Sequence, residues 1–131
     1  MTRVTGIGGV FFKAKNPAVL GEWYKKHLGI DVQPWNGAAF PWHRPEAPEP
    51  HGATVWSIQE EGAEMFGGSS ARFMINYRVA DLDGVRAALL EEGCAVDERV
   101  ESSEYGKFGW VTDPEGNRVE LWQPPEGPMP A

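Results

Sequence analysis

The 131-residue chain has little of what several common functional sites require. It contains one cysteine, Cys94, so an intrachain disulfide and a cysteine-rich zinc cluster are both excluded. Only three histidines are available as imidazole ligands for a metal ion. The 12 basic residues are outnumbered by 19 acidic ones, and the formal charge of -7 disfavours binding to nucleic acid or to an anionic membrane surface.

Long hydrophobic runs are also missing. No apolar stretch approaches the roughly 20 residues that span a bilayer, and the N-terminus lacks the apolar segment of a signal peptide. We therefore expect a cytoplasmic protein that does not enter membranes. A hydrophobic content of 41% is typical of a globular protein, and the length predicts one domain over residues 1–131. Six tryptophans and 16 glycines are many for this length.

What the chain does contain is an internal repeat. A short apolar run is followed by Asn16 and Pro17, a strong start signal for a helix that ends at Gly29. The same arrangement recurs 65 positions later, where an alternating strand-like run leads to Asp81 and a helix that ends at Gly93. The chain therefore reads as two copies of one module.

Strand candidates follow each predicted helix. They are 30–32, 38–42 and 54–58 in the first module and 95–100, 108–111 and 118–122 in the second. A tight turn at Asp113–Asn117 separates the last two, with glycine in a left-handed position. The predicted fold is α+β with two βαβββ modules, over about 4–60 and 71–124, joined by a linker at about 60–70 and followed by a tail at 125–131.

Several motifs fit this organisation. They are Phe-Lys-Ala-Lys-Asn-Pro at 12–17, Trp-Tyr at 23–24, His-Leu-Gly at 27–29, Tyr-Arg-Val-Ala-Asp-Leu-Asp at 77–83, and Asp-Pro-Glu-Gly-Asn at 113–117 followed by Val-Glu-Leu at 119–121. In these motifs and in element order, residues 4–124 resemble the vicinal oxygen chelate superfamily, which includes glyoxalase I, bleomycin-resistance proteins and extradiol dioxygenases. The resemblance implies that each module curls into a half-barrel and that the two halves enclose a cleft.

Metal-binding members of that superfamily place ligands on the first and last strand of each module. The resemblance assigns these positions to Gly9, Trp56, Met74 and Glu120. Glu120 alone is a suitable ligand for a hard or borderline divalent ion. We therefore expect no metal and no other cofactor in the cleft.

Strand alternation identifies the residues that share the cleft face, because residues i and i+2 point the same way. Counted from those four positions, the face comprises Phe11 and Lys13; Thr54, Trp56 and Ile58; Met74, Asn76 and Arg78; and Arg118, Glu120 and Trp122. The opposite, more apolar faces should pack beneath the helices. Such an aromatic, thioether-containing face with a few polar groups is typical of a small-molecule pocket.

The individual roles stay open at this point. Trp56 and Met74 either contact a ligand or fill the core, and Phe108 and Trp110 either stack on a ligand or close the sheet. Glu120 is a general base or hydrogen-bond acceptor, or it is paired with Arg118 or Arg78. His43, at the start of a Pro-rich loop, is a candidate lid residue, and His51 at its other end is a second.

Three functions are compatible with these residues. The first is a bleomycin-resistance-like protein that binds a small aromatic or amphipathic molecule in a metal-free cleft. The second is a metal-dependent lyase or isomerase of the glyoxalase type, similar to lactoylglutathione lyase, with Glu120 as the base. The third is an inert fold that serves dimer or partner interaction. Whether the chain is an enzyme is left open, and a homodimer is expected from the resemblance alone.

Overall fold

In residues 3–42 and 52–126, which the computed structural model describes, the chain forms seven strands, two α-helices and a short 3₁₀ helix at Glu64–Phe66. The strands are β1 (Val4–Ala14), β2 (Gly37–Pro41), β3 (Ala53–Glu60), β4 (Phe73–Val79), β5 (Ala95–Ser103), β6 (Gly106–Thr112) and β7 (Arg118–Gln123). The helices are α1 (Pro17–Leu28) and α2 (Leu82–Glu91). This arrangement confirms the predicted α+β class. None of the helices in the described part of the chain has the length and apolarity needed to cross a membrane.

The chain divides into two compact units. One, here called the N-terminal unit, is Gly8–Phe73; the other, the C-terminal unit, combines the residues from Met74 onward with those up to Ile7. Strand β1 therefore begins in the C-terminal unit and continues in the N-terminal unit.

Both helices begin where the sequence predicts. The Asn16 side chain accepts a hydrogen bond from the Val19 backbone N–H at 3.3 Å, and Pro17 occupies the first turn of α1. The Asp81 side chain accepts one from the Gly84 N–H at 3.1 Å at the start of α2. Helix α1 ends at Gly29, whose φ of 69° is the left-handed conformation that glycine adopts at little cost.

The predicted strand at 30–32 is wrong. Its backbone is satisfied by local turns: the Val32 N–H donates to the Ile30 carbonyl at 2.8 Å, and the Asn36 N–H donates to the Gln33 carbonyl at 2.9 Å. A segment of three residues after a helix cap is too short to form the hydrogen bonds of a β-strand in place of these turns. Among the described residues, the N-terminal unit therefore has the order βαββ instead of βαβββ.

The sheet of the N-terminal unit has the order β2-β3-β1. Strands β1 and β3 run parallel with Val10 opposite Trp56 and Phe12 opposite Ile58, so these side chains share one face. Phe12, Ala14 and Ile58 form the core there, and Trp56 packs against it together with Leu20 and Tyr24 of α1.

This register corrects the cleft face predicted for β3. Thr54, Trp56 and Ile58 lie on the helix-facing side of the sheet, and Ser57 is the residue opposite Phe11. The prediction was one residue out because the position was counted across the long loop before β3, and a slip of one residue exchanges the two faces of a strand.

In the C-terminal unit the order is β4-β7-β6-β5, with β4 and β7 parallel and the other neighbours antiparallel. Its core consists of Val79, Leu82, Val85 and Leu121, with partly buried Tyr77, Leu89, Val111 and Val119 packed around them. Val79, Val119 and Leu121 pack beneath the helix, as predicted for the apolar faces of β4 and β7. For Phe73 and Ile75, on the same face of β4, that prediction is wrong, because both side chains are exposed. The opposite side of β4, β6 and β7 carries the candidate site.

Candidate functional site

Glu120 lies at the centre of a row of three side chains on adjacent strands. In the ladder it is opposite Asn76 of β4 on one side and opposite Trp110 of β6 on the other. Its neighbour Leu121 is in the core beside α2, so alternation places Glu120 on the other face of the sheet. Asn76, Trp110 and Glu120 are each only 2% exposed.

Both carboxylate oxygens of Glu120 accept hydrogen bonds. The Asn76 Nδ2 donates to Oε1 at 2.6 Å, and the Trp110 Nε1 donates to Oε2 at 3.0 Å. Burial nevertheless raises the pKa of Glu120 to about 7, and these two hydrogen bonds, which favour the ionised form, offset that effect only in part. Protonated and ionised forms of Glu120 therefore coexist near neutral pH.

The Asn76 side chain retains an unused acceptor. Its Oδ1 is buried, and no group in the described residues donates a hydrogen bond to it. A buried polar atom without a partner is costly, so this oxygen would gain from a donor supplied by a ligand.

A second row of side chains borders the first. Phe108 and Trp122 are opposite each other in the ladder, and their rings stack with centroids 6.0 Å apart and planes 6° apart. The Trp122 Nε1 donates to the Tyr105 carbonyl at 2.8 Å, which fixes the indole. The Arg78 guanidinium carbon lies 5.3 Å from the Trp122 ring centroid, within range of a cation–π interaction. This face therefore combines a stacked pair of aromatic rings with the guanidinium group of Arg78.

Arg118 is held at the other end of the site. Its Nη1 forms an ion pair with Asp97 Oδ2 at 3.0 Å, and its guanidinium carbon is 5.3 Å from the Trp110 ring centroid. A backbone hydrogen bond from Arg99, followed by the Arg118 side-chain bond, lowers the pKa of Asp97. Arg118 thus links the indole that contacts Glu120 to a carboxylate on β5.

The structure places most of the predicted site residues in the C-terminal unit. Alternation along the paired strands puts the following on the face of Glu120: Met74, Asn76, Arg78, Phe108, Trp110, Arg118 and Trp122. Phe11 and Trp56 belong to the N-terminal unit, and Trp56 contacts the core there instead of sharing a face with Phe11. His43, like His51, lies outside the described residues.

Two participants were missed by the sequence reasoning. One is the hydrogen bond from Trp110 to Glu120, which depends on the register between β6 and β7. The other is Ser57. Phe11 and Asn76 are equivalent positions, because each precedes its helix cap by the same number of residues. Ser57 is opposite Phe11, as Glu120 is opposite Asn76, so Ser57 is the equivalent of Glu120. The pairing of β1 with β3 identifies Ser57 in place of Trp56.

The donor set does not fit the metal site that the resemblance implies. Glu120 is the one carboxylate among the positions that the resemblance implies, Gly9, Trp56, Met74 and Glu120. It is also the one carboxylate in the ladder pairs Phe11–Ser57 and Asn76–Glu120, and both of its oxygens already accept N–H donors. Within residues 3–42 and 52–126, no group of three or more His, Cys, Asp or Glu side chains could hold a metal ion.

Comparison with known proteins gives one family match. A family model described as a glyoxalase-like domain matches residues 9–122. No curated protein matches the chain.

Similar solved structures include two methylmalonyl-CoA epimerases. That from Mycobacterium tuberculosis is 18% identical, with 95% of this chain and 91% of the other covered and a TM-score of 0.62. A variant from Streptomyces coelicolor, in complex with 2-nitronate-propionyl-CoA, is 18% identical, with 97% and 99% covered and a TM-score of 0.69.

A glyoxalase/bleomycin resistance protein/dioxygenase superfamily member from Vibrio splendidus 12B01 is 15% identical, with 87% and 95% covered and a TM-score of 0.55. At these identities the structural likenesses establish the fold alone.

Proposed function

The chain belongs to the glyoxalase-like domain family, and from that premise we propose that it binds a small aromatic or amphipathic molecule on the face around Glu120, without a metal ion. The observation that carries the proposal is that the groups bound to the two oxygens of Glu120 are N–H donors, from Asn76 and Trp110, and that a ligand set is missing around it. Each oxygen keeps a further lone pair, but among the residues that the structure describes no group of three or more His, Cys, Asp or Glu side chains could hold a metal ion.

The surroundings of Glu120 define the chemistry of the ligand. In the stacked pair Trp122 is buried and Phe108 is partly exposed, so Phe108 offers the apolar surface that a flat ring would contact. The free Oδ1 of Asn76 favours a ligand that carries an O–H or N–H donor. A ligand with a ring and one donor would therefore satisfy both features.

Metal loading tests the metal-free part of the proposal. Purified protein incubated with Zn²⁺, Ni²⁺ or Mn²⁺ and then dialysed should retain about as much metal as the Glu120→Gln variant, because a single carboxylate without further ligands holds such an ion weakly. Stoichiometric retention that is lost in Glu120→Gln, with hemithioacetal isomerisation restored by the metal, would overturn the proposal.

A matched pair of aromatic probes tests the ligand. We expect 2-naphthol to shift the indole N–H resonances of Trp110 and Trp122 in a two-dimensional NMR spectrum, and we expect 2-methoxynaphthalene, which has the same rings but no donor, to bind at least about fivefold more weakly. The Glu120→Gln variant should alter the response at Trp110. If fused-ring aromatics with and without a donor leave both indoles unchanged, the proposed ligand class is wrong.

A second function is favoured by one observation, the raised pKa of Glu120. A carboxyl group with a pKa of about 7 is well matched to abstract and return a proton at neutral pH. This would suit an epimerase or a lyase/isomerase of the glyoxalase type, and two of the similar structures are methylmalonyl-CoA epimerases. We rank it second because both oxygens of Glu120 already accept hydrogen bonds from Asn76 and Trp110.

Hydrogen–deuterium exchange distinguishes the two functions. If Glu120 is a base, the protein should catalyse exchange of the α-proton of methylmalonyl-CoA with solvent, and Glu120→Gln should abolish it. If the chain is a binding protein, neither the wild type nor the variant should accelerate exchange above the rate in buffer.

The assembly and location that we propose are a homodimer in the cytoplasm. Both rest on the resemblance and the composition. Light scattering coupled to size-exclusion chromatography should give twice the chain mass of 14.5 kDa, and a monomeric mass would contradict the dimer.

A further inference from the structure

A groove on the N-terminal unit is not part of the site around Glu120. It runs beside α1, from the end of β1 to the residue before β4, and encloses about 500 Å³, within the size range of small-molecule sites. Every residue that lines it belongs to Gly8–Phe73.

The apolar wall of this groove is unusually exposed. Trp23 and Val19 lie one turn apart on α1 and are 50% and 66% exposed, respectively. Leu20, on the same helix, continues the wall toward the core that contains Phe12. Large apolar side chains grouped beside a concave surface indicate a contact with something apolar.

The charge around the groove is opposite to that of the chain as a whole. Lys15 and Arg72 line it, and no Asp or Glu does among the described residues that form its wall, although the chain carries a formal charge of -7. Lys13 also lines the groove, but its Nζ donates to the Ser69 carbonyl and lies 4.9 Å from the Phe66 ring centroid, so its charge is already used within the protein. Lys15 and Arg72 are exposed, and the Arg72 Nη2 is anchored at the groove by donating to the Lys13 carbonyl at 3.1 Å. Glu61 Oε1 lies 3.8 Å from Arg72 Nη1, a surface contact that competes only weakly for this cation.

We propose that this groove is a second binding site, for an amphipathic organic anion with an aryl or short alkyl body and a carboxylate head. The body lies against Trp23 and Val19, and the carboxylate faces Lys15 and Arg72. Contact with the apolar wall supplies affinity. The basic rim favours anionic ligands, because it repels cationic ones. The site is independent of any ligand at Glu120.

Calorimetric titration with 4-phenylbutyrate tests the proposal, and 4-phenylbutylamine, which has the same apolar body and the opposite charge, is the matched probe. The carboxylate should bind at least about tenfold more tightly than the amine, and that preference should shrink at high salt. Binding of both probes with equal affinity, or of neither at millimolar concentration, would overturn the proposal.

Three variants locate the binding. The double variant Lys15→Gln with Arg72→Gln should weaken 4-phenylbutyrate binding about tenfold or more, and Trp23→Ala should weaken it similarly. Trp23 is half exposed, so its replacement should leave the circular dichroism spectrum and Tm close to those of the wild type. Lys25→Gln is the control: it removes one charge from the same helix outside the groove and should change affinity less than twofold.

Two further results would count against the proposal. Shifts at the Trp122 indole N–H in place of the Trp23 indole on titration would show that the probe binds at the other site. A self-associated protein that dissociates on Trp23→Ala, without any probe, would show that a second copy of the chain covers this wall.

Discussion

Two opposing effects act on the pKa of the buried Glu120 carboxyl group. Removal from water favours the protonated form, whereas the N–H donors of Asn76 and Trp110 favour the ionised form. Burial has the larger effect, and a shift from 4.5 to about 7 corresponds to about 3 kcal/mol of preference for the protonated form in the folded protein.

This preference makes the free energy of unfolding depend on pH. Because the pKa of Glu120 is raised on folding, its contribution to stability is fully present below pH 4.5 and is lost as the pH rises through about 7. We predict that the wild type loses about 2 to 3 kcal/mol more than Glu120→Gln between pH 5 and pH 8, measured by urea denaturation.

The variant is a suitable reference because its amide can replace the carboxyl group. Gln at 120 can accept from Trp110 and donate to the free Asn76 Oδ1 once the Asn76 amide turns over. Asp97 and Asp113, whose pKa values are lowered, change protonation state at more acidic pH than the range from pH 5 to pH 8. Parallel stability curves for the wild type and Glu120→Gln would contradict the prediction.

The indole N–H of Trp110 should lower the pKa of Glu120. Trp110→Phe keeps an aromatic ring and removes the donor to Glu120 Oε2, so the ionised carboxylate loses one of its two partners. We predict a further rise in the pKa of Glu120 and a destabilisation about 1 kcal/mol larger at pH 8 than at pH 5.

Trp122→Phe is the matched control for that prediction. It removes an indole hydrogen bond of similar length, but to the Tyr105 carbonyl, which does not titrate. Its cost should therefore be the same at both pH values. The two variants should be compared by urea denaturation, and equal pH dependence in both would contradict the role given to the Trp110 N–H.

At the scale of elements, local signals predicted the helix starts and the last turn correctly, although not the segment 30–32, whereas features that depend on pairing between strands were not predicted. Asn16 and Asp81 cap their helices, and Gly116 adopts a φ of 88° in the last turn, because each is determined by residues within about four positions of it. The side of the sheet on which Trp56 lies depends on the length of the preceding loop and on the pairing of β3 with β1. The residue pattern within β3 reveals neither of these.

The candidate site divides in the same way. Alternation along β4 and β7 was enough to put Asn76, Arg78, Arg118 and Trp122 on the face of Glu120. The partners of Glu120 could not be predicted, since they depend on which residues are opposite it in two neighbouring strands. Ladder register is a tertiary property.

Gly9 illustrates how a position can be constrained by packing between strands. A Cβ on Gly9 would lie 2.6 Å from the Val55 carbonyl oxygen, a backbone atom that cannot move aside cheaply. We predict that Gly9→Ala lowers the free energy of unfolding by about 1 to 3 kcal/mol, as overpacking does elsewhere. Gly9→His, which would restore the residue type implied by the resemblance, should be more destabilising still.

Gly62→Ala is the control for Gly9→Ala. No heavy atom lies within 4 Å of a Cβ built at Gly62, so this change should alter stability by no more than about 0.5 kcal/mol. Thermal denaturation of the two variants side by side measures the difference. A Gly9→Ala protein as stable as Gly62→Ala would show that β1 and β3 can separate at this point without cost.

At the scale of the whole molecule, the distribution of charge matters more than its sum. A formal charge of -7 disfavours anionic partners on average, yet Lys15 and Arg72 lie together beside one groove. At physiological salt, interactions beyond about 8 Å are largely screened, so a bound anion senses mainly this local rim.

The start of β1 belongs to the C-terminal unit, although the rest of β1 does not. There Arg3 makes two hydrogen bonds to the Glu92 carboxylate, at 2.6 and 3.0 Å, and the Thr5 hydroxyl donates to the Arg78 carbonyl at 3.3 Å. We predict that deleting residues 2–7 lowers hydrogen-exchange protection of the β4 amides at least about tenfold, because the deletion removes a structured segment of that unit.

The Arg3→Gln variant tests whether residues at the start of β1 act only through the Arg3–Glu92 ion pair. The Arg3–Glu92 pair lies at the surface, so its loss alone should leave the free energy of unfolding and β4 protection nearly unchanged. In the deletion, protection in α1, which belongs to the N-terminal unit, should fall less than protection in β4. If the deletion and Arg3→Gln behave alike, the first residues of β1 contribute only an ion pair, and the C-terminal unit would be complete without them.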